Sequence, residues 1–382
     1  MPPLGRPVYL DGSSAEPLLP EARDAWLAGQ QAGWGDPLRL HRPGRLAAQA
    51  LDRAREVVAA AVGARPDEVV FTGSGVQSSY AAVAGLARGR RRVGTRIVTS
   101  AIEHSSVLAA AGGHGRPVSV PVDGQGHLDL DRWRAALAEG EVAAAALQVA
   151  NHEVGTVQPY PAAAQLCRAA DVPLLLDATS ALGRLDLTSP EAGWSVLTGA
   201  AAAFGGPASV GILVIRRGVR WRAPYPVDDY QNGRWPGAPD VPAIVAAAVA
   251  LETWLADRAR LAAHQHALVG RLRHGIGERV PDVDVVGDPD ARVPHLLTCS
   301  VLYVDGETLT LELDRAGFAV ASGSACSASS ETPSHVLAAM GALTHGNIRI
   351  GLTRTTTAAD VDALLDALPP IVSRIRADLG AP

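Results

Sequence analysis

Short apolar runs alternate with longer helix-like segments across residues 68–177, and this alternation limits the fold more than any other feature. The strand-like runs lie at residues 68–72, 96–99, 118–122, 143–149 and 173–177. Strands that alternate with helices at this spacing predict βαβ units, which form a parallel sheet with helices on both faces. Such sheets bind ligands at the carboxyl ends of their strands, so we expect the functional side chains there.

The chain changes character beyond residue 240. An Ala- and Val-rich helix is predicted after Val241. The strand-like runs that follow it lie at residues 297–304, 318–322 and 347–352. We therefore predict an α/β fold with a large, doubly wound, mostly parallel sheet domain over residues 15–245. Residues 1–14 and 246–382 are predicted to form a smaller α+β domain.

Composition narrows the class of protein. Hydrophobic residues make up 47% of the chain and charged residues 19%, which is typical of a soluble globular protein. The formal net charge of -5 predicts no nucleic-acid binding, and we interpret the Arg-rich residues 88–92 as a solvated turn. Without an apolar leader or a run of about 18 apolar residues, neither export nor a membrane span is expected. The wide spacing of Cys167, Cys299 and Cys326 favours a reducing cytoplasm and predicts no metal site.

Residues 198–211 carry the first of several family motifs. Within them, Phe204-Gly205-Gly206-Pro207 resembles the cofactor-lysine segment of the cysteine desulfurases, in the class V branch of the fold-type I pyridoxal phosphate (PLP) enzymes. Similar correspondences occur at residues 7–12, 40–45, 102–105, 151–155, 175–179, 321–328 and 348–352. The resemblance covers nearly the whole chain and implies the fold-type I architecture.

The lysine that carries PLP in that family has no counterpart here. The family's Ser, His and Lys correspond to Ala200, Ala202 and Ala203, and all 34 residues counted as Lys and Arg are Arg. Because Arg stays protonated near neutrality, no side chain of this protein can form a Schiff base. The family's phosphate-binding Thr corresponds to Val76, and its Gln near the PLP hydroxyl corresponds to Ser180. From these losses we predict a remnant pocket with no cofactor, either covalent or non-covalent.

Other parts of the pocket are retained. The resemblance implies that His104 stacks on the PLP ring, that Asp177 pairs with the pyridine nitrogen, and that Arg349 binds the substrate carboxylate. It also places Asn151 at the substrate, while His152 replaces the second Asn of the family's Asn-Asn-Glu motif. Two readings stay open. Asp177 could cap a turn or pair with a histidine, or it could form a new polar pocket in which His104 and His152 act as acid or base.

Cys326 lies among the small residues 321–328, which match the family's loop whose Cys carries a persulfide. A Cys in such a Gly- and Ser-rich loop is expected to be exposed and mobile, as a sulfur carrier requires. The alternative is that this Cys is inherited without use. By contrast, Cys167 on a helix and Cys299 on an apolar strand are predicted to be buried core thiols.

These observations predict a cysteine desulfurase-like protein without PLP-dependent activity of its own, acting as a partner, a ligand-binding protein or a PLP-independent enzyme. One alternative is a sulfurtransferase that carries persulfide on Cys326. Another is a desulfurase that binds PLP non-covalently or borrows a lysine from a partner chain. The expected partners are a second copy or a related chain in a dimer, a sulfur donor or acceptor protein, and a small-molecule ligand. We expect neither nucleic acid nor a membrane among them.

Overall fold

Twelve strands and ten α-helices make up residues 7–322 and 333–380, the parts of the chain that the computed structural model describes. In chain order, the strands are β1 (Val8–Tyr9), β2 (Val69–Thr72), β3 (Arg96–Ser100), β4 (Arg116–Val120), β5 (Val142–Gln148), β6 (Leu174–Asp177), β7 (Val196–Ala200), β8 (Gly211–Ile215), β9 (Val283–Val286), β10 (Leu296–Val301), β11 (Phe318–Ala319) and β12 (Asn347–Gly351). In the same order, the helices are α1 (Pro20–Ala32), α2 (Arg42–Val62), α3 (Gly75–Gly89), α4 (Ser105–His114), α5 (Leu130–Ala138), α6 (Tyr160–Ala169), α7 (Val241–Arg279), α8 (Gly306–Arg315), α9 (His335–Met340) and α10 (Ala358–Asp378).

Seven strands form the central sheet, in the order β2-β8-β7-β6-β5-β3-β4. Strands β3 to β7 run parallel to their neighbours, whereas β8 pairs antiparallel with both β2 and β7. Successive side chains of a strand enter different apolar clusters: Leu174 and Leu176 pack in one cluster and Leu175 in the other. Both faces of the sheet are therefore covered, as a continuous apolar run requires. The predicted α/β fold with a large, mostly parallel sheet is confirmed.

The 39-residue helix α7 connects two apolar cores. Its buried residues up to Leu261 pack against the sheet of the large unit, whereas those from Leu268 onwards pack in the core of the small unit. The boundary predicted between residues 245 and 246 falls inside this helix, because one continuous element contributes to both cores. Despite the length of α7, neither it nor any other helix in the described ranges is apolar enough to cross a membrane.

The small unit has an antiparallel sheet in the order β12-β10-β9, and a parallel pair of β1 with β11. Only two residues of the run predicted at 318–322 form a strand, and β9 was not predicted. Cys299 in β10 and Cys167 in α6 are buried, as expected. Burial raises the pKa of each thiol to about 12, so neither is a thiolate near neutrality.

Candidate active site

A cavity of about 370 Å³ lies where β6 and β7 end and α3 begins. The predicted residues that line it are Val76, His104, His152, Asp177, Ser180, Ala203 and Arg349. The cavity thus lies at the carboxyl ends of the strands, where the sequence led us to expect the functional side chains. Asn151 does not line this cavity, and Cys326 lies outside the described residues, so its predicted role stays a prediction.

Asp177 is the last residue of β6 and is buried. Its Oδ1 accepts hydrogen bonds from the backbone N–H of Thr179 at 3.0 Å and from the Thr179 hydroxyl at 2.7 Å. Both contacts use the same oxygen. Asp177 thus caps the turn with Oδ1, while its Oδ2 accepts no hydrogen bond from the part of the chain that the structure describes, and the residue lines the cavity.

His104 stands at the N-terminus of α4, where its Nδ1 accepts a hydrogen bond from the Ser106 backbone N–H at 3.2 Å. Since a backbone N–H can only donate, Nδ1 carries no proton and the neutral ring has its proton on Nε2. The ring of His152 packs edge-on against His104, with ring centroids 5.0 Å apart. The capping contact therefore fixes the tautomer of His104.

His152 is enclosed by the protein. Neither ring nitrogen makes a hydrogen bond to any of residues 7–322 and 333–380, and Nε2 lies 3.7 Å from Oε1 of Glu153. Burial, with help from neighbouring His104 and Arg349, lowers the pKa of His152 well below its usual value. His152 is therefore neutral near pH 7 and can accept a proton there, but it holds none to donate as an imidazolium.

Asn151 has a different environment from the one predicted. Its Oδ1 accepts hydrogen bonds from the backbone N–H groups of Glu153 and Val154, both at 2.8 Å, and its Nδ2 donates to the Ile102 carbonyl at 3.1 Å. Because both polar atoms of the amide are used, Asn151 shapes the turn that carries His152. Asn151 therefore affects the cavity only indirectly, by positioning His152.

Arg349 comes from β12 of the small unit and is buried. Its Nη2 donates to the Ser14 hydroxyl at 2.6 Å and lies 3.5 Å from Oδ1 of Asp11, and its Nη1 donates to the His152 carbonyl at 3.4 Å. The Nε atom has no partner among the described residues. These contacts hold a guanidinium with spare donor capacity at the cavity wall, which suits a carboxylate.

A turn of small side chains forms another wall. Ala200 ends β7, and a 3₁₀ turn over Ala201–Phe204 follows. Ala202 and Ala203 are half-buried and line the cavity. Gly205, with φ of 75°, closes the turn in the left-handed region that glycine adopts without strain. The cavity occupies the space beside these alanines.

Sequence reasoning missed two basic residues of the cavity, Arg184 and His295. Arg184 is buried, donates from Nη1 to the Ala203 carbonyl, and lies 3.5 Å from Oε2 of Glu16. Burial lowers the pKa of Arg184 to about 10, and it lowers that of His295 well below its usual value. Neither residue belongs to a motif that the sequence analysis identified, and no local pattern distinguishes either one from other basic residues of the chain.

Glu103 is a buried carboxyl group behind His104. Ser100 Oγ contacts its Oε1, and Oε2 has no partner among the described residues. Desolvation raises the pKa of Glu103 to about 8, so the group is mostly protonated at neutral pH.

No group of three or more His, Cys, Asp or Glu side chains within residues 7–322 and 333–380 has a metal-binding arrangement.

Comparison with known proteins agrees with this geometry. The model of the aminotransferase class-V family matches residues 8–364. A cysteine desulfurase of Cereibacter sphaeroides is 38% identical over 97% of both chains. The cysteine desulfurase IscS of Dictyoglomus turgidum is 32% identical over 97% of this chain and 96% of its own. A solved NifS-like protein superposes with a TM-score of 0.89 at 26% identity, covering 96% of this chain and all of the other.

These relatives contradict two predictions made from the sequence. They are cysteine desulfurases, which are PLP-dependent, so the predictions of no cofactor and of no desulfurase activity are wrong. The alternatives of a mere partner, a PLP-independent enzyme and a sulfurtransferase fall with them. The physical error was to treat the lost lysine and the lost side-chain contacts to the phosphate and hydroxyl groups as the whole of the binding. The side chain at position 203 carries no amine, but Asp177, His104 and Arg349 still line the cavity.

Proposed function

This chain belongs to the cysteine desulfurase family of the class V aminotransferases, and on that footing we propose that it binds PLP and acts on L-cysteine in the cavity described above. One observation carries the proposal: His104, Asp177 and Arg349, from three separate elements, line one cavity. An aromatic ring, a protonated ring nitrogen and a carboxylate suit these side chains, and PLP together with L-cysteine offers all three.

Two residues fit the ring. The free Oδ2 of Asp177 can accept a charge-assisted hydrogen bond from a protonated pyridine nitrogen, in a site with little water to compete. The half-buried imidazole of His104, fixed by its contact with Ser106, offers a flat face for stacking. When bound, PLP supplies an electron sink for the α-carbon of an amino acid.

The start of α3 fits the phosphate. The backbone N–H groups of Gly75 and Val76 donate no hydrogen bond within the described residues, and both residues line the cavity. Free N–H groups at a helix N-terminus attract anions, and this attraction does not depend on a side-chain hydroxyl. Val76 therefore removes one donor of the family's phosphate site but leaves the backbone donors in place.

The covalent link of the family does not fit, since the sequence contains no lysine. PLP must then be held by the contacts of its ring and phosphate alone, and it should exchange with free PLP in solution. Arg349, held by Ser14, would orient the carboxylate of L-cysteine beside the ring. These residues would bind and orient, and no side chain of this chain can supply an amine to the PLP aldehyde, whereas the substrate carries one.

Equilibrium dialysis with PLP, followed by a sulfide assay with L-cysteine, tests the proposal. We expect saturable binding of one PLP per chain that is reversed by dialysis, and sulfide release that requires both compounds. Arg349→Gln should retain PLP binding and lose the response to L-cysteine. If the protein takes up no PLP, or releases no sulfide above a protein-free control, the proposed function is wrong.

We also propose that the chain works as a dimer, with itself or with a related chain. Large apolar side chains near α1 and α2 support this proposal, because they are exposed to solvent: Leu27, Trp34, Leu38, Leu40 and Leu46. Apolar groups gathered in one region of a surface commonly mark an interface. Light scattering at micromolar concentration should give twice the chain mass, and a monomer would contradict this proposal.

A further inference from the structure

Arg184 is a charged residue of the active-site cavity to which the proposed contacts with PLP and L-cysteine give no role. It follows Gly183, whose φ of 81° lies in the left-handed region that glycine adopts without strain. The side chain of Arg184 is 1% exposed and lines the cavity. Among the described residues, Arg184 and Arg349 are the two arginines of the cavity lining. Since Arg349 suits the carboxylate of L-cysteine, the guanidinium of Arg184 remains for another anionic group.

The guanidinium of Arg184 is held by contacts with three parts of the chain. It stacks on the ring of Trp254 in α7, with Cζ 4.6 Å from the ring centroid. Its Nη1 donates a hydrogen bond to the Ala203 carbonyl, and its Nη2 lies 3.5 Å from Oε2 of Glu16. Stacking covers one face of the planar group and leaves its N–H donors in the plane. A guanidinium fixed in this way loses little conformational freedom when a ligand binds.

Arg184 has hydrogen-bond donors that no described residue uses. A guanidinium has five N–H groups, and within residues 7–322 and 333–380 neither Nε nor Nη2 of Arg184 makes a hydrogen bond. The carboxylate of Glu16 does not satisfy these donors, because its Oε1 accepts from the Arg354 backbone N–H at 2.8 Å and its Oε2 makes no hydrogen bond in the same ranges. Unsatisfied donors on a buried charged group are costly, and a bound anion would satisfy them.

The constitution of PLP indicates which of its groups would face Arg184. In the pyridine ring, the nitrogen lies opposite the carbon that bears the aldehyde, and the hydroxyl and the phosphate arm flank the aldehyde on opposite sides. With the nitrogen at Asp177 and the phosphate at the start of α3, the hydroxyl would point away from α3. The side chain of Arg184 contacts the N-terminal segment, α7 and the turn after β7, and within the described ranges it has no polar contact with α3.

Arg184 also supplies a positive charge at this part of the cavity. Burial lowers its pKa to about 10, so the guanidinium stays protonated at neutral pH. Burial, together with the nearby charges of Arg184 and Arg292, lowers the pKa of His295 well below its usual value, so the His295 ring is neutral. Ser180 lines the cavity too, but a hydroxyl group carries no charge. A positive charge favours the ionised form of a neighbouring acidic group.

We propose that Arg184 binds the ring hydroxyl of PLP in its ionised, phenolate form. A guanidinium and a phenolate form a charge-assisted hydrogen bond, which is shorter and stronger than a bond between neutral groups. Arg184 thereby becomes a residue that distinguishes PLP from ring compounds without an ionisable hydroxyl. This inference rests on the proposed function, because it requires that PLP binds in this cavity.

The test compares PLP with its 3-O-methyl ether, in which a methoxy group that cannot ionise replaces the hydroxyl. Equilibrium dialysis with the purified full-length chain gives the dissociation constant of each ligand. A hydrogen bond to a charged group changes affinity by about 10- to 150-fold, so we expect PLP to bind at least about tenfold more tightly than the ether. Equal affinity for the two ligands would overturn this inference alone, whereas uptake of neither ligand would overturn the proposed function as well.

Two variants show whether Arg184 causes the preference for PLP over the ether. The test variant, Arg184→Met/Glu16→Gln, removes both charges of the pair, so that no unpaired charge stays buried. The matched control is Arg258→Met/Asp186→Asn. Arg258 also donates to a carbonyl, that of Leu185 at 3.2 Å, and lies 3.5 Å from Oδ2 of Asp186. Neither residue of the control pair lines the cavity.

We expect the preference for PLP over the ether to fall at least about tenfold in the test variant and to stay within about twofold in the control. The methoxy group has the same bulk in every protein, so the change in preference isolates the contact with the hydroxyl. The same preference in both variants would overturn the proposal. Circular dichroism checks that each variant is folded, and Arg184→Gln replaces the test variant if that variant does not fold.

The absorption spectrum of bound PLP provides a second readout, which a general loosening of the cavity would not change in this direction. The phenolate and the neutral hydroxyl forms of PLP absorb at different wavelengths. At one fixed neutral pH, the share of bound PLP in the phenolate form should be lower in the test variant than in the unmodified chain and the control. An equal share in all three proteins would also overturn the proposal.

Discussion

The exchange Asp177→Asn tests whether the free carboxylate oxygen in the cavity binds the PLP ring. The two side chains have the same shape, and Oδ1 of Asn can still accept both hydrogen bonds from Thr179. Those contacts orient the amide, so its NH₂ group replaces Oδ2 in the cavity. A hydrogen-bond donor then faces the protonated pyridine nitrogen, which is also a donor. The exchange changes the chemistry of one atom and leaves the turn intact.

The size of the effect follows from this loss. A hydrogen bond to a charged group contributes about 1.5–3 kcal/mol, which corresponds to a factor of about 10–150 in affinity. Asp177 is only 7% exposed, so water replaces the lost contact poorly. We expect the dissociation constant for PLP to rise by at least about tenfold, measured by equilibrium dialysis or by the change in PLP absorbance.

The chain contains a close control. Asp186 forms the same turn as Asp177, because its Oδ1 accepts from the Thr188 backbone N–H at 3.0 Å and from the Thr188 hydroxyl at 2.7 Å. Its side chain is 61% exposed and does not line the cavity. Asp186→Asn should leave PLP affinity within about twofold. Equal PLP affinity of the two variants would refute the assignment of Asp177 to the ring.

Three further predictions concern charge and packing. Arg349→Lys keeps the charge but loses the paired donors, so L-cysteine should bind about 10- to 100-fold more weakly by calorimetry in the presence of PLP. Glu103 has a folded pKa of about 8, above its ordinary value of 4.5, so the free energy of unfolding should fall as pH rises through that range. Glu103→Gln should remove up to about 5 kcal/mol of that fall in urea titrations, at about 1.4 kcal/mol for each pKa unit, and an unchanged pH profile would contradict the prediction. Gly85→Ala forces a Cβ against Trp221 and should lower the free energy of unfolding by about 1–3 kcal/mol, whereas Gly112→Ala, with no atom within 4 Å, should be neutral or stabilising by about 0.5 kcal/mol. Thermal or chemical unfolding of the two variants side by side checks this difference.

The sequence by itself determined the sheet of the large unit. Its strands are continuous apolar runs, such as Leu174–Asp177, because helices cover both of their faces. The same local pattern placed Asp177 at a strand end and His104 before a helix, where the structure has them. The absence of lysine is likewise a property of the sequence alone, and it means that no lysine side chain of this chain can form a Schiff base.

The sequence alone did not show how the absence of lysine affects the binding of PLP. Affinity is a sum over contacts from several elements, and only the fold shows that the free oxygen of Asp177, the fixed ring of His104 and the guanidinium of Arg349 line one cavity. The contribution of Arg184 to the cavity, and the enclosure that keeps His152 neutral, are also products of tertiary packing. No local sequence pattern predicts the position of Arg184 or the burial of His152.

The arginines near the C-terminal end of α3 show most directly which properties come from the sequence and which come from the fold. Residues 88–92 alone predict a charged turn, and nothing in their sequence indicates that residues 217–222 lie beside them. The two segments come together because Gly85 and Gly89 of α3 have no side chains to exclude Trp221 and the Arg220 carbonyl, and because Trp221 donates a hydrogen bond to the Ala81 carbonyl. The sequence shows which side chains are charged. The distances between them set the strength of their electrostatic field, and these distances are determined only by the fold.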